Sequence, residues 1–127
     1  MGKYGQAAVD AVESFRTVLE KGPRGAWSRA VARLFPKSPS SRDKGCPMYA
    51  FLGLCEEGLV KGIPPGDYTE SVKNKQYAVD AVRLLRLDPA LAGDKMLLWQ
   101  RVLGKRTIVH NDQMDMVTSL WERGLLT

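Results

Sequence analysis

Apolar residues recur at intervals of three and four along almost all of this 127-residue chain, and this spacing is the period of an α-helix. Strand patterns are nearly absent, because Thr107-Ile108-Val109 is the only short β-branched run and predicts at most one isolated extended segment. The length suits one ordinary domain with one hydrophobic core. The sequence therefore predicts an all-α fold, a compact single-domain bundle of five to six helices over residues 1–127.

Glycine, proline and capping residues divide the chain into six predicted helices. The expected spans are about 3–21, 24–35, 47–57, 71–87 and 94–104, and a last helix from 111 or 112 to the residue before Gly124. The third helix is almost wholly apolar and is expected at the centre of the bundle. Asp94 is placed to cap the fifth helix.

Glycine, proline, serine and cysteine residues predict where the first three helices begin and end. Val18 and Leu19 are assigned to the apolar face of the first helix, which Gly22-Pro23 is expected to end. Residues 36–45 have the Pro, Ser and Gly content of irregular backbone. Cys46 is expected at the capping position of the third helix, just before Pro47. A loop is therefore predicted between the second and third helices.

The composition limits the class of protein. With 44% apolar and 26% charged residues, the chain resembles a soluble globular protein. No apolar run approaches the roughly 20 residues that cross a bilayer, and Asp10 and Glu13 interrupt the stretch where a signal peptide would be apolar. We expect a cytoplasmic protein with no membrane association. No glycine-rich phosphate loop, nucleotide fingerprint or nucleophile elbow occurs, and no cofactor is expected.

The net charge of +5 is concentrated in residues 24–44. This basic segment contains one acidic residue, Asp43, whereas the basic and acidic residues of the rest of the chain balance. Its basic residues are Arg24, Arg29, Arg33, Lys37, Arg42 and Lys44. Such a distribution favours one focused positive surface over a diffuse one.

We interpret the basic segment as a polyanion-binding surface, with nucleic acid as the leading partner. The candidate binding residues are Arg29, Arg33, Lys37, Ser40, Ser41, Arg42 and Lys44. Arg29 and Arg33 are four residues apart and rise from adjacent helical turns, and the loop residues could converge with them on phosphates. The segment lacks Asn, Gln and an aromatic cluster, so binding would depend on phosphates and on salt. The alternative is a solvated helix face.

The cysteines allow a second interpretation, a small thiol-dependent enzyme. A thiol at a helix N-terminus near Lys44 favours its thiolate, so Cys46 is a catalytic candidate with His110 as base and Asn111 or Asp112 as orienting residue. Structural capping by Cys46 is the alternative. Cys55 is expected to be a buried apolar residue. Two cysteines at this spacing and a single histidine do not form a recognisable metal-ligand set, and no metal is expected.

A polar cluster, HNDQMD at 110–115, precedes and opens the last predicted helix. Asn111 or Asp112 is expected to accept hydrogen bonds from the free amides of that helix, and negative charge at Asp115 is favourable in its first turn. A ligand-contacting loop formed by His110, Asn111 and Gln113 is the alternative, because loops often carry function.

Two segments of the chain align without gaps, LCEEGLV at 54–60 and LWERGLL at 120–126. Each is expected to be a helix end in which glycine adopts the left-handed conformation and the next apolar residue folds back, the Schellman arrangement. The same helix-stop chemistry used twice explains the similarity. A duplicated helical hairpin, or a helix-turn-helix motif, is the alternative.

Tryptophan supports a third interpretation, a protein–protein interaction module. Trp27, Trp99 or Trp121 would contribute to such a surface if it were exposed within a contiguous apolar patch. Polyanion binding without catalysis remains our main prediction, with the interaction module and the thiol enzyme as alternatives.

Several motifs resemble a small uncharacterised bacterial family, catalogued as a domain of unknown function. They are KGCP at 44–47, AFLGLCEEGLVKGIPPGDY at 50–68, GKYGQAA at 2–8, HNDQMD at 110–115 and LWE at 120–122. The resemblance spans nearly the whole chain. It implies a stand-alone bacterial domain and transfers no catalytic residues.

Overall fold

The computed structural model describes residues 1–15, 21–110 and 112–127. The α-helices are α1 Lys3–Ser14, α2 Gly22–Leu34, α3 Pro39–Arg42, α4 Gly45–Glu56, α5 Val72–Leu87, α6 Lys95–Leu103 and α7 Gln113–Glu122. A 3₁₀ helix, Pro89–Gly93, joins α5 to α6. Apart from the single turn of α3, six α-helices form the bundle and no strand occurs among the described residues, so the all-α prediction is confirmed.

Two helices lie at the centre of the bundle. In α4, Ala50, Phe51, Leu52, Leu54 and Cys55 are fully buried, as its apolar sequence predicts. In α7 every residue from 113 to 120 is buried. Apart from α3, which has no buried residue, the other helices each present one apolar face to this centre. The buried side chains form one core cluster. A helix without an exposed face is expected only inside such a core.

The close packing of α5 on α4 depends on Gly53. A Cβ at this position would lie 2.6 Å from the Cβ of Lys75, so the α5 backbone passes directly over the glycine. The N-terminus of α5 is capped by Ser71, whose hydroxyl accepts from the Asn74 amide at 3.2 Å. Asp94 caps α6 as predicted, because its carboxylate accepts from the Leu97 amide at 3.0 Å.

Three predicted boundaries near the start of the chain are wrong. α1 ends at Ser14, where Phe15 turns to extended backbone, and the predicted part with Val18 and Leu19 lies outside the described residues. Gly22 and Pro23 begin α2, because proline without an amide hydrogen is tolerated in a first turn. Residues 39–42 are helical, since Pro39 opens the turn and Ser38 caps it.

The start of α4 also differs from the prediction. Lys44 is the capping residue, and Cys46 lies inside the first turn of the helix. Gly45 extends the helix by two residues, and its position leaves space for the Tyr49 ring, which a Cβ would approach to 2.9 Å. Cys46 therefore packs within the helix start and does not cap it.

The two similar segments form matching helix ends. Leu59 N donates to Leu54 O and Leu125 N donates to Leu120 O, at 3.0 and 2.9 Å, while Gly58 and Gly124 have φ of 72° and 68°. These are Schellman ends, as the sequence predicts. They also pair with each other through an antiparallel bridge between Val60 and Leu126.

Candidate binding surface

The basic segment lies on α2, α3 and the loop between them. Arg29, Arg33, Lys37 and Ser40 are exposed, whereas Ser41, Arg42 and Lys44 are half-buried. The segment is therefore largely at the surface, although its members differ in what they contact.

Three cations gather around the backbone at Phe35 and Pro36. Arg42 Nη1 donates to the carbonyl oxygens of both residues, each at 3.0 Å. Lys3 Nζ lies 5.3 Å from the centre of the Phe35 ring. Lys37 follows directly in the chain and is exposed. The turn at Phe35 thus brings Lys3 of α1 next to the basic segment.

Arg29 and Arg33 extend this cluster along α2. They are both exposed and lie one turn apart on the same side of the helix. We call the combined surface the basic edge, which consists of Lys3, Arg29, Arg33, Lys37 and Arg42. Nothing in the sequence pattern pointed to Lys3, because it joins the cluster only through the packing of α1 against α2.

Carboxylates from elsewhere in the chain partly neutralise the basic segment. Arg24 pairs with Glu70 and Arg33 with Asp10, each at 3.3 Å, and Lys44 Nζ pairs with Asp112 at 2.7 Å. The Arg33 side chain remains 58% exposed, and such surface pairs are weak. The excess positive charge of the basic segment is therefore smaller than the sequence suggests.

Lys44 is directed into the bundle and is not part of the basic edge. Its ammonium group lies 5.3 Å from the centre of the Tyr4 ring as well as against Asp112. The Tyr4 ring is buried and its hydroxyl donates to Ser41 O at 2.8 Å. Burial raises the pKa of the Tyr4 hydroxyl. These contacts hold α3 and the start of α4 against α1.

The predicted serines have different environments. The Ser38 and Ser41 hydroxyls hydrogen-bond to each other at 2.7 Å, and Ser38 also caps α3. Ser41 is thus used within the turn. Ser40 is exposed beside Arg42 and is the serine best placed to contact a ligand.

A second polar cluster joins the N-termini of α1 and α7. The buried Asp115 carboxylate accepts from the amides of Gly2 and Gly5 at 2.8 and 2.7 Å, and Lys95 Nζ lies 3.2 Å away. Burial alone would raise the pKa of Asp115, but these two amides and the Lys95 ammonium lower it below its ordinary value. Asp115 therefore anchors α1 to α7.

His110 caps α7 through its Nε2 atom. Its Nε2 accepts from the Met114 amide at 3.2 Å, and its ring lies 5.4 Å from that of Trp99. Burial lowers the pKa of His110, so the neutral form predominates, with its proton assigned to Nδ1 from this bond. The atom that would deprotonate a thiol is therefore occupied, which weighs against the thiol enzyme.

The predicted cap of α7 by Asp112 is wrong. Asp112 has a φ of 66° and makes no side-chain bond to the helix amides, because its carboxylate binds Lys44. His110 provides the acceptor instead. The other proposed cap, Asn111, lies outside the described residues.

The remaining candidates for chemistry have different environments. Cys46 is half-buried, and burial raises the pKa of the fully buried Cys55 thiol. Over residues 1–15, 21–110 and 112–127, no three His, Cys, Asp or Glu side chains are grouped as a metal site requires.

Trp27 and Trp99 are buried, and Trp121 is half-buried against the core. Two of the three aromatic anchors of the interaction-module interpretation are therefore inaccessible.

Comparison with known proteins identifies the family. A sequence model for a family of unknown function, DUF6979, matches residues 1–127. The chain belongs to this family. No curated protein and no solved structure matches it.

Three of the five segments that suggested the family resemblance meet at the junction of α1, α4 and α7. GKYGQAA at 2–8 supplies the amides bound by Asp115 of HNDQMD at 110–115. KGCP at 44–47 supplies Lys44, which pairs with Asp112 of the same segment. Asp115, Asp112 and Lys44 are thus paired within the protein, which gives this junction a structural role. None of the helices in the described part of the chain is both long and apolar enough to span a membrane.

Proposed function

We propose that the protein is a non-catalytic binding domain whose basic edge engages the phosphate groups of nucleic acid. One observation carries the proposal: Lys3, Lys37 and Arg42 surround the α2–α3 turn, and Arg33 and Arg29 continue the same positive surface along α2. Five cations on adjoining elements are the arrangement expected of a site for closely spaced phosphates.

The orientation of Arg42 supports this role. Both of its carbonyl contacts use Nη1, so they fix the guanidinium plane without involving Nη2 and Nε. A guanidinium held in advance loses less side-chain entropy when it binds a phosphate. Lys3 and Lys37 are exposed and flexible, and can follow the phosphates as point charges.

The surface lacks groups that read bases. The basic segment contains no Asn or Gln, and its aromatic neighbours Tyr4 and Phe35 pack against each other with ring centres 4.9 Å apart. Stacking on bases and pairing with base edges are therefore not expected at this surface. Recognition should depend on phosphate charge, with little preference for sequence.

The two free cysteines are consistent with a reducing compartment such as the cytoplasm, where nucleic acid is accessible. We therefore place the proposed activity there. The proposal requires no cofactor and no bound metal, because phosphate contacts by Lys and Arg are sufficient for binding.

Charge removal at exposed positions tests the proposal. We expect Lys3→Gln with Lys37→Gln to weaken binding to a fluorescent DNA duplex on the order of tenfold at about 50 mM salt, measured by anisotropy. The slope of log affinity against log salt should also become shallower, by about 0.9 for each phosphate that the protein no longer neutralises. Neither lysine forms an ion pair in the described structure, so the fold should be unaffected.

Arg101→Gln with Lys105→Gln is the matched control, because it removes the same charge from exposed positions on and after α6. Its affinity should stay within about twofold of the unchanged protein, if position and not net charge decides binding. Equal weakening in both variants, or binding that is insensitive to salt, would contradict the proposal.

A further inference from the structure

An open groove of about 290 Å³ lies between the C-terminal end of α4 and the outer face of α5. Its lining combines three apolar and three charged residues, which are Leu59, Val79, Val82, Glu57, Arg83 and Arg86. The volume is at the lower end of the range for ligand pockets, so a small molecule is the suitable occupant. No residue of the basic edge lines this groove.

The apolar part of the groove is held rigidly. Val82 is 1% exposed and belongs to the core, while Leu59 and Val79 are half-buried against it. Leu59 is fixed on both sides of its backbone, since its amide donates to Leu54 O at 3.0 Å and its carbonyl accepts from Thr127 N at 2.8 Å. A short aliphatic chain would therefore find a preformed surface.

The charged part of the groove favours an anion. Arg83 and Arg86 lie one turn apart on α5 and are both exposed. Arg83 contacts Asp80 at 2.9 Å, a surface pair within one helix that is weak and exchangeable. Arg86 donates to the main-chain oxygen of Thr127, so an oxygen acceptor already reaches this guanidinium.

The acidic residue of the groove is partly neutralised from outside it. Glu57 pairs with Lys75 Nζ at 3.0 Å, and the same ammonium group binds Glu56 at 2.6 Å. The contact with Lys75 and the amides of Tyr68 and Thr69 lower the pKa of Glu56 to about 2. Lys75 thus offsets part of the negative charge at the end of α4, and the two arginines lie on the α5 side of the groove.

From this combination we infer that the groove binds a small aliphatic carboxylate. Its chain would lie on Leu59, Val79 and Val82. Its carboxylate would bind Arg83 in place of Asp80 and Arg86 in place of the Thr127 main-chain oxygen. The inference does not depend on nucleic-acid binding, because the basic edge and the groove share no residue.

A titration of the methyl signals of the protein by NMR tests the inference. Hexanoate should shift the methyl signals of Leu59, Val79 and Val82 in a saturable way, with a dissociation constant on the order of 1 mM. Hexanamide has the same carbon chain without the charge, and we expect it to bind at least about tenfold more weakly, since it cannot form charge-assisted bonds.

Substitution of the two arginines then tests where the carboxylate of hexanoate binds. Arg83→Gln with Arg86→Gln should weaken hexanoate binding at least about tenfold, whereas Arg101→Gln with Lys105→Gln should leave it unchanged. The inference is overturned if hexanamide binds as well as hexanoate, or if the shifted methyl groups lie elsewhere. The comparison of the two ligands on the unchanged protein decides the matter even if the arginine variant is poorly folded.

Discussion

At the scale of single residues, the contact between α1 and α7 depends on a position where there is no space for a side chain. A Cβ on Gly5 would lie 2.0 Å from Ser119 Oγ and 2.8 Å from the main-chain oxygen of Asp115. The amide of the same glycine donates to the Asp115 carboxylate. The absence of a side chain at position 5 is therefore what lets one carboxylate bind the amides at the start of another helix.

Gly5→Ala should destabilise the protein by about 1–3 kcal/mol, because the added methyl group forces α1 away from α7. Urea denaturation measures this change in the free energy of unfolding. Gly93→Ala is the matched control, since no atom lies within 4 Å of a Cβ placed there, and its effect should be within about 0.5 kcal/mol. Equal effects of the two substitutions would show that α1 does not pack on α7 as described.

His110 should make stability depend on pH. Burial depresses its pKa in the folded protein below the ordinary value of 6.5, although Asp112 and Asp115 oppose this shift and Lys95 and Lys44 add to it. The unfolded chain therefore binds the proton first as the pH falls. The stabilising contribution is complete above about pH 6.5 and is lost as the pH decreases through the folded pKa.

His110→Gln tests this dependence, because an amide oxygen can accept from Met114 N without titrating. Between about pH 7 and pH 5, the free energy of unfolding of the unchanged protein should fall more steeply, by at most about 1.4 kcal/mol per pH unit. Denaturation at several pH values gives both slopes. Identical slopes would mean that His110 is not the group that titrates.

The sequence predicted part of this chemistry. The position of Asp115 in a first helical turn was expected to be favourable, and His110 was recognised as part of a polar cluster. The acceptors and donors that they use could not be predicted. Asp115 binds the amides of Gly2 and Gly5, more than 100 positions away, so only the folded chain brings them together.

At the scale of elements, the ends of α4 and α7 show what local sequence determines. Both Schellman ends were predictable, because in each case glycine and leucine follow the last turn of a predicted helix. Their pairing was not, since it requires α4 and α7 to lie side by side. Lys61 N donates to Leu125 O at 2.9 Å and Thr127 N donates to Leu59 O at 2.8 Å, so each end provides the same bond to the other.

Substitutions at Gly124 test the predicted helix end without steric clashes with neighbouring atoms. Its φ is 68° and no atom lies within 4 Å of a Cβ built there, so only backbone strain distinguishes substitutions. Gly124→Val should cost about 1–2 kcal/mol, and Gly124→Asn should cost less because asparagine tolerates the left-handed region. Thermal and urea denaturation measure both. Equal costs would contradict a left-handed residue at this position.

Errors in the predicted elements have a common physical cause. The segment 36–45 has the composition of a loop, yet Pro39 and Ser38 are also the residues that begin a helical turn, and tertiary contacts select the turn. Tyr4 supplies one such contact through its hydroxyl bond to Ser41 O. Gly22-Pro23 is ambiguous in the same way, because the pair suits both the end of one helix and the start of the next.

At the scale of the whole molecule, the sequence located the excess positive charge but not how much of it is neutralised. Asp10, Glu70 and Asp112 come from three separate parts of the chain and pair with Arg33, Arg24 and Lys44. Lys3 adds charge that the segment itself did not contain. The sequence therefore predicts the region of the basic edge but not which residues belong to it, because ion pairs between distant residues are set by packing.

The enclosure of α7 from Gln113 to Leu120 has a consequence for which parts of the molecule can move. Its amide protons can reach solvent only when the surrounding helices separate, so α7 should exchange hydrogen only through cooperative opening of the whole bundle. By contrast, α3 has a single turn and no buried residue, and can open locally at small cost. The enclosed core of the protein should therefore exchange hydrogen far more slowly than α3 does.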